Sequence, residues 1–534
     1  MSKKRILILG AGYGGILTAK RLGNKLDKDN QVEITLVDKN PFHTMRTELH
    51  EVACGRVEED SIRIDLKKVF AKRKVDVILD EIKDIDFNKQ TLKSDKNIYT
   101  YDYLVIGAGS QPTFFGIKGA KEYTHPLWTY EDAVKLKEHI LHMFRKAVKE
   151  TDKTKRQKML TFVVVGGGFT GVEMMGELGE WKDRLCEDFY LDNEEVKLYL
   201  VDASPRIIPT YPEHLMKKAV ERLHKLGVEV ITGAGITEVS EDQVILGDKG
   251  SIEANTIVWA AGVEGGSLLE NMGLEQKGRK RIVTNDKLQT VDYENVYVVG
   301  DNIFYIAEGE ERPVPQMVEN AKFSAKLVTE NICRDLKGEE KKSYKPSFHG
   351  SLLCIGSRYG LAHLGLPGKF FAVHGFLAMF MKHAVNLLYF LSVAGFNKCW
   401  TYLLDEFVHI NDNRSILGGT FARLSPNFWL VPLRIYIGAL WLQHGLQNMI
   451  MGEMALGLCL ILGLFTAVSS IASIVMSATL SSSGIGNFGY IAASIALLSG
   501  AGRTLGLDYY VLPAFKKAWK KIGIVKKYYL YLDK

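Results

Sequence analysis

The chain contains two glycine-rich turns, GAGYGG at Gly10 to Gly15 and GGGFTG at Gly166 to Gly171, and each fits G-x-G-x-x-G. Each follows a short aliphatic run (RILILG, then TFVVVG) and opens a stretch of helical character. Glycine at these positions permits a tight turn and lets the backbone approach a pyrophosphate lying at the helix N-terminus. One such match is weak, whereas two in strand–turn–helix context specify two dinucleotide folds. A chain with two of them is suited to moving electrons between two dinucleotides. The strand 32–37 ends at Asp38 and the strand 196–201 ends at Asp202. From that position an acidic side chain accepts hydrogen bonds from an adenosine ribose. Asp202 would repel a 2′-phosphate and so favours NADH over NADPH, a preference that nearby Arg206 weakens slightly.

A length of 534 residues suits about three domains. The net charge of +6 is spread along the chain, with no basic arm of the kind that binds nucleic acid. Six scattered cysteines include no C-x-x-C pair, which argues against a dithiol centre, a zinc knuckle or an iron–sulfur cluster. They read as reduced core cysteines of a cytosol-facing protein. MSKK runs directly into the first strand, so no cleaved signal peptide is expected.

The expected fold class is α/β: two Rossmann-type domains, then interfacial helices and an all-α, four-helix transmembrane domain. The first domain occupies 1–130, the second 131–285, and the chain returns to the first over 286–367. YDYLVIGAGSQP, with Gly109, and VYVVGDN, with Gly300 and Asp301, read as strands of the first domain. TIVWAAGV, with Gly262, completes the second. Residues 368–425 read as amphipathic helices at a membrane surface, interrupted by His374, Lys382 and His383, although buried core helices fit the pattern equally well. Apolar runs over 426–513 read as membrane spans. Arg414 and Arg423 precede them and a Lys-rich tail (514–534) follows, so both ends belong on the cytoplasmic side and the spans are even in number. A break at GLFT near Gly463 makes four: 428–448, 452–465, 467–482 and 486–501. The tail suits the anionic cytoplasmic leaflet of a lipid bilayer, or is a solvated end.

Six stretches together resemble the type II NADH dehydrogenases, flavoprotein NADH:quinone oxidoreductases. They are GAGYGG, FHTMRTELHEVACGR, YDYLVIGAGSQ, VVVGGGFTGVEMMGELGE, TIVWAAGV and VYVVGD. The resemblance implies that Gly10, Gly12, Gly15, Asp38, Gly109, Gly300 and Asp301 hold FAD. It places Gly166, Gly168, Gly171, Asp202 and Gly262 on NADH, with Glu173 beside the nicotinamide. It implies a cell-membrane flavoprotein facing the cytoplasm and suggests a homodimer. Its quinone motif, A-Q-x-A-x-Q, appears here as PQMVEN. Gln316 therefore matches the first glutamine, and Asn320, one methylene shorter, stands for the second. Lys382 joins them as a quinone-site residue, and Glu173 and Gln316 carry positioning and proton handling. Residues 426 to about 513 resemble the DoxX family of small four-helix membrane proteins, on LRIYIGALWLQHGLQN, LILGLFT and GAGRTLGLDYYVLP. Arg434, Arg503 and Asp508 are expected to pair there, as a structural ion pair or a quinone-handling group.

Two other readings compete. A sulfide:quinone oxidoreductase shares the fold but needs redox-active cysteines over the flavin, and Cys354 has no evident companion. A non-catalytic redox sensor or membrane adaptor would bind FAD and NADH without turnover. A disulfide reductase is weaker still, because its cysteine pair is missing.

Overall fold

Aliphatic strands feeding helices that begin at glycine build two parallel sheets in the first part of the protein. The computed structural model describes residues 3–270, 272–366, 368–409, 414, 427–479, 486–528 and 530. They form two compact units, Met1–Ala422 and Arg423–Lys534.

In the first unit, β1 (Lys4–Leu9) runs through the first glycine turn into α1 (Tyr13–Lys25) and returns as β2 (Val32–Asp38). A short helix, α2 (Leu49–Ala53), precedes β3 (Asp76–Leu79) and β4 (Tyr103–Ile106). The second half repeats the plan with β5 (His125–Pro126), α3 (Tyr130–Ala147), β6 (Thr161–Val165), α4 (Phe169–Phe189) and β7 (Lys197–Val201). It closes with α5 (Glu213–Lys225), β8 (Val228–Ile231) and β9 (Thr256–Trp259). The chain then supplies β10 (Val296–Val298) to the first sheet, beside β4. The strand orders are β10-β4-β1-β2-β3 and β5-β9-β6-β7-β8, all pairs parallel. Both faces of such sheets are covered, and β6 is accordingly buried at every residue. The predicted return of the VYVVGDN strand to the first sheet is observed.

Helix α6 (Val318–Asp335) packs on α1, and an antiparallel sheet follows: β11 (Gly350–Cys354), β12 (Gly360–Leu366) and β13 (Lys369–Gly375). Next come α7 (Phe376–Val393) and α8 (Phe396–Phe407). The polar residues of α7, Lys382, His383 and Asn386, face inward and are buried, while Phe376, Leu377, Phe380, Leu388 and Leu391 are exposed. The pattern is amphipathic with its apolar side outward. Of the described helices, α7 is long and apolar enough to cross a membrane.

The second unit is helical: α9 (Leu430–Asn448), α10 (Met451–Leu462), α11 (Thr466–Thr479), α12 (Gly486–Leu497) and α13 (Asp508–Trp519). Four of these stand where the sequence places spans, and Gly463 ends α10 in the left-handed region (φ 65°) as the GLFT break requires. The described α10, α11 and α12 have 12, 14 and 12 residues. At about 1.5 Å per residue they rise roughly 18–21 Å, less than a hydrocarbon core of about 30 Å. The end of the 467–482 span, and Arg423, lie outside the described residues. Gly438 and Gly457 bring α9 and α10 into backbone contact: a Cβ on Gly457 would stand 2.5 Å from the Leu442 nitrogen. The expected ion pairing takes another form. Buried Arg434 donates to the carbonyls of Ala501 (2.8 Å), Thr504 (3.2 Å) and Leu505 (3.0 Å). Asp508 accepts from the Phe465 and Thr466 amides (2.6 and 2.9 Å), and Arg503 is exposed. Free carbonyls at a chain bend satisfy the guanidinium, and free amides at a helix start satisfy the carboxylate.

In the first unit, Gly176 on α4 is where helix and strand segment meet, since a Cβ there would lie 2.7 Å from the Ile355 Cα. Both neighbours are backbone, so Gly176→Val should lower stability by about 1–3 kcal/mol or more, read as a drop in the unfolding midpoint.

Candidate functional site

The two glycine turns are the same device built twice. Gly10 and Gly166 have φ of +96° and +115°, in the region glycine tolerates. Their amides donate to carbonyls at the ends of the neighbouring strands, Val37 and Val201, each at 2.8 Å. Helices α1 and α4 cross so close above them that a Cβ on Gly15 would stand 1.8 Å from the Gly10 oxygen, and one on Gly171 1.8 Å from the Gly166 oxygen. The middle glycines differ. A Cβ on Gly12 would find one atom, at 3.9 Å, and a Cβ on Gly168 nothing within 4 Å. Open space at the middle glycine is where a pyrophosphate would approach. Neither helix has a side-chain cap on its first turn, so those amides are available to an anion.

Asp38 and Asp202 also match. Asp38 accepts from the Ala11 amide (2.5 Å) and the Asn40 amide (2.7 Å); Asp202 accepts from the Gly167 and Ser204 amides. Each carboxylate thus holds its own turn, and two of its roughly four acceptor positions stay open to ribose hydroxyls. Burial, partly offset by the Ala11 bond, raises the Asp38 carboxyl above its ordinary value.

The first cradle continues at the ends of β4 and β10. Gly109 (φ +77°) donates to Asn302 Oδ1 (2.7 Å), and Asn302 Nδ2 donates back to the Gly109 oxygen (2.8 Å). Asp301 accepts from Ser110 Oγ (2.7 Å), and Gly300 sits at φ +70°. Gln316 Nε2 donates to the Asp301 carbonyl (3.3 Å). Asn320 is buried, donating to the Gly300 carbonyl (3.4 Å) and accepting from the Tyr344 hydroxyl (2.6 Å). Arg46 lies against Trp128, 4.6 Å from the ring centre, and feels the charges of Asp301 and Asp38. In the second cradle the Gly262 carbonyl accepts from the Thr113 amide (3.1 Å).

Glu173, Glu177 and Glu180 follow one face of α4. Glu173 Oε1 accepts from the Cys354 amide (3.3 Å) and lies 3.6 Å from its Sγ. His50 is between them, with Nε2 3.1 Å from Cys354 Sγ and Nδ1 3.9 Å from Glu173 Oε2. Lys382 Nζ meets Glu48 Oε2 and Glu51 Oε1, both at 2.7 Å. Arg56 binds Glu51, Glu177 (3.0 Å) and Glu406 (2.6 Å). Burial raises the Glu173 carboxyl to about 7 against the pull of Lys382, and Glu177 to about 7 against that of Arg56. Desolvation lowers His50 to about 3, so its imidazole is neutral. Strongly shifted groups beside a nucleotide cradle mark a functional site.

Glu173, Lys382 and the glycine turns are brought into one region with residues the sequence does not single out: Glu48, His50, Glu51, Arg56, Glu177, Glu406 and Asn302; Cys354, without an evident companion in the sequence, meets His50 and Glu173 there. The signal for the first four was the run of charged residues inside TELHEVACGR, and that for Glu177 was its spacing of four from Glu173.

Residues 4–325 match the pyridine nucleotide-disulphide oxidoreductase family. The chain is 33% identical over 387 residues to the type II NADH:quinone oxidoreductase of Staphylococcus saprophyticus, covering 72% of this chain and 94% of that protein. Among solved structures it resembles NDH2 from Plasmodium falciparum in complex with NADH, with TM-score 0.66 and 17% identity over 76% of this chain and 97% of that one. It also resembles the sulfide:quinone oxidoreductase of Aquifex aeolicus, with TM-score 0.60 and 19% identity over 73% and 91%. At these identities the two structures speak to fold alone.

Lys382→Met would strand two buried carboxylates and should cost about 3–5 kcal/mol. Burial already holds Glu48 above its ordinary value, and with the cation gone it rises further, while Glu51 loses one of the two cations, Arg56 and Lys382, that hold it down. Stability is then kept at low pH and lost as pH rises, so the drop in unfolding midpoint should be larger at pH 8 than at pH 5.

Proposed function

The chain belongs to the type II NADH:quinone oxidoreductases, and from that premise we propose that it binds FAD in the first cradle and NADH in the second and reduces a menaquinone-type quinone at a membrane. The duplicated turn geometry carries this reading, because each turn offers free helix-start amides, open space at its middle glycine and a carboxylate with acceptor positions to spare. When bound, FAD supplies the two-electron chemistry between NADH and quinone.

The chain's own residues supply position and charge. The amides at Gly12 and Gly15 hold the FAD pyrophosphate with Arg46 as a nearby cation, and Asp38 holds the ribose. Asp301, set by Ser110, orients the ribityl side with Gly109 and Gly300. Gly166, Gly168 and Gly171 hold the pyrophosphate of NADH, Asp202 its ribose, and Gly262 leaves room beside it. Glu173 lies at the meeting point of the halves, where a carboxyl titrating near neutrality can hold or release a proton. Lys382 places positive charge beside it. Gln316 faces the quinone, while Asn320, bonded at both ends of its amide, supports the Gly300 turn.

The exposed apolar faces of α7 and α8, including Phe376, Phe380, Phe396 and Trp400, suit a lipid surface. With the apolar helices of the second unit and the lysines of the tail, they support a flavoprotein on the cytoplasmic face of the cell membrane. The second unit is a DoxX-like anchor with four spans, in a homodimer. The domain limits are 1–130, 131–285, 286–367, 368–425 and 426–513, with the tail at 514–534.

In purified, detergent-solubilised protein, NADH should bleach the flavin and a menaquinone analogue should restore its colour. A bleached flavin that quinone never re-oxidises would sink the proposal. Asp202→Arg should raise the KM for NADH about 10- to 100-fold, the value of one or two lost charge-assisted bonds. Asp202→Asn, which keeps an acceptor for Gly167, should do less.

A further inference from the structure

Glu51 shares the Lys382 ammonium with Glu48, both at 2.7 Å, and the Arg56 guanidinium with Glu406; against burial, Arg56 and Lys382 hold its own carboxyl well below the ordinary value. Carboxylates crowded onto shared cations cannot all be ionised, and such a group is stable when a proton is shared within it. The fixed charge agrees. Five buried or nearly buried carboxyls (Glu48, Glu51, Glu173, Glu177 and Glu406) face three cations, Arg56, Lys382 and Arg414. Two negative charges are left over if all five ionise. The neighbours add no positive charge: His50 is neutral, burial keeps the Cys354 thiol protonated, and His383 Nδ1 is bonded to the Tyr402 hydroxyl at 2.8 Å. Glu51 Oε2 and Glu177 Oε2 are buried and have no hydrogen-bond partner among the described residues. Protonated carboxyls in the group would give them one.

The group also has two ends. At one, Glu406 and Arg56 form part of the wall of a small cleft, with Phe376, Phe380 and Phe407 on its apolar side. At the other, Glu51 Oε1 is 3.8 Å from His50 Nε2, whose Nδ1 is 3.9 Å from Glu173.

We propose that Glu406, Glu51 and Glu48 form a proton relay that brings one solvent proton per turnover from this cleft to Glu173 and the quinone. The inference rests on the NADH:quinone reading. NADH gives up two electrons and one proton as it becomes NAD⁺. The quinone takes up two electrons and two protons, forming two O–H bonds. The second proton comes from solvent, and the relay stores and delivers it. Glu406, raised mainly by burial to about 8, and Glu173, at about 7, both hold protons near neutrality and release them to a stronger base.

The test uses the full-length, FAD-loaded protein in detergent and separates the two half-reactions by stopped flow. Glu406→Gln should slow flavin re-oxidation by a menaquinone analogue about 10²-fold, the low end for a positioned proton transfer, and far more than it slows bleaching by NADH. It should raise the solvent isotope effect on re-oxidation and shift its pH profile, and Glu406→Asp should restore part of the rate. In wild type, a protonated-carboxyl stretch in the infrared should be present at pH 7 and fade as pH rises through about 8. This arm needs no variant to fold. Absence of that stretch, or a Glu406→Gln protein with wild-type re-oxidation and pH profile, overturns the relay. Wild-type protein whose flavin quinone never re-oxidises overturns the underlying reading instead.

Discussion

Arg56 ties together three parts of the first unit that are distant in sequence. Its guanidinium reaches Glu51 on α2, Glu177 on α4 and Glu406 on α8, and it is almost wholly buried. Through it the first dinucleotide half, the second half and the apolar helices share one set of charges. Each buried ion costs several kcal/mol of lost hydration, returned only when partners are close and hydrogen-bonded. Arg56 has three close carboxyls for its own charge and donates a hydrogen bond to one of them, Glu406. Three carboxyls around one cation nevertheless exceed neutrality, so the surplus must be carried by Lys382, Arg414 or protons. Moving any of the three elements away would leave a buried charge without its partner, which is why the geometry at Glu173 depends on residues far from either nucleotide.

The duplicated turn shows how little chain is needed to specify a nucleotide cradle. Three features recur at matching places: a glycine in the left-handed region, a helix glycine pressed onto its carbonyl, and a carboxylate clamping the turn amide. The sequence offers Asp38 and Asp202 as ribose partners alone. In the structure each also braces its own turn, so a substitution there acts on loop shape as well as on the ligand.

What was legible follows from the range of each interaction. The glycine turns, the strands feeding them and the acidic residues ending β2 and β7 lie within one βαβ unit, where sterics leave a local signature. The break at Gly463 was legible for the same reason. The charge group was not, because its members come from residues 48–56, 173–177, 354, 382 and 406 and meet only in the folded state. Lys382 was visible as an interruption in an apolar helix, but the pattern alone does not say which side of α7 faces in. Arg434, Arg503 and Asp508 invited pairing because charges in apolar helices need partners. Backbone groups at the bend after residue 500 and at the start of α11 supplied those partners for Arg434 and Asp508, and turn carbonyls leave no mark in a sequence.

The orientation of α7 links the buried charges to the apolar surface. An ordinary surface helix turns polar residues to solvent, whereas α7 turns large apolar ones outward while Ala378, Met379, Phe390 and Val393 pack inward beside polar groups. Its buried side carries Lys382, His383, Asn386 and Tyr389, bonded to Glu48, Glu51, Tyr402 and His43. Its outer side is a row of Phe and Leu. In water that arrangement wastes the hydrophobic contribution of the outer row. Against lipid it does not, since the same row then loses its contact with water. In the proposed reading such a helix keeps the charges around Glu173 out of the bilayer and presents lipid with an apolar face. In that reading it is the element that lets one site meet a water-soluble donor and a lipid-soluble acceptor.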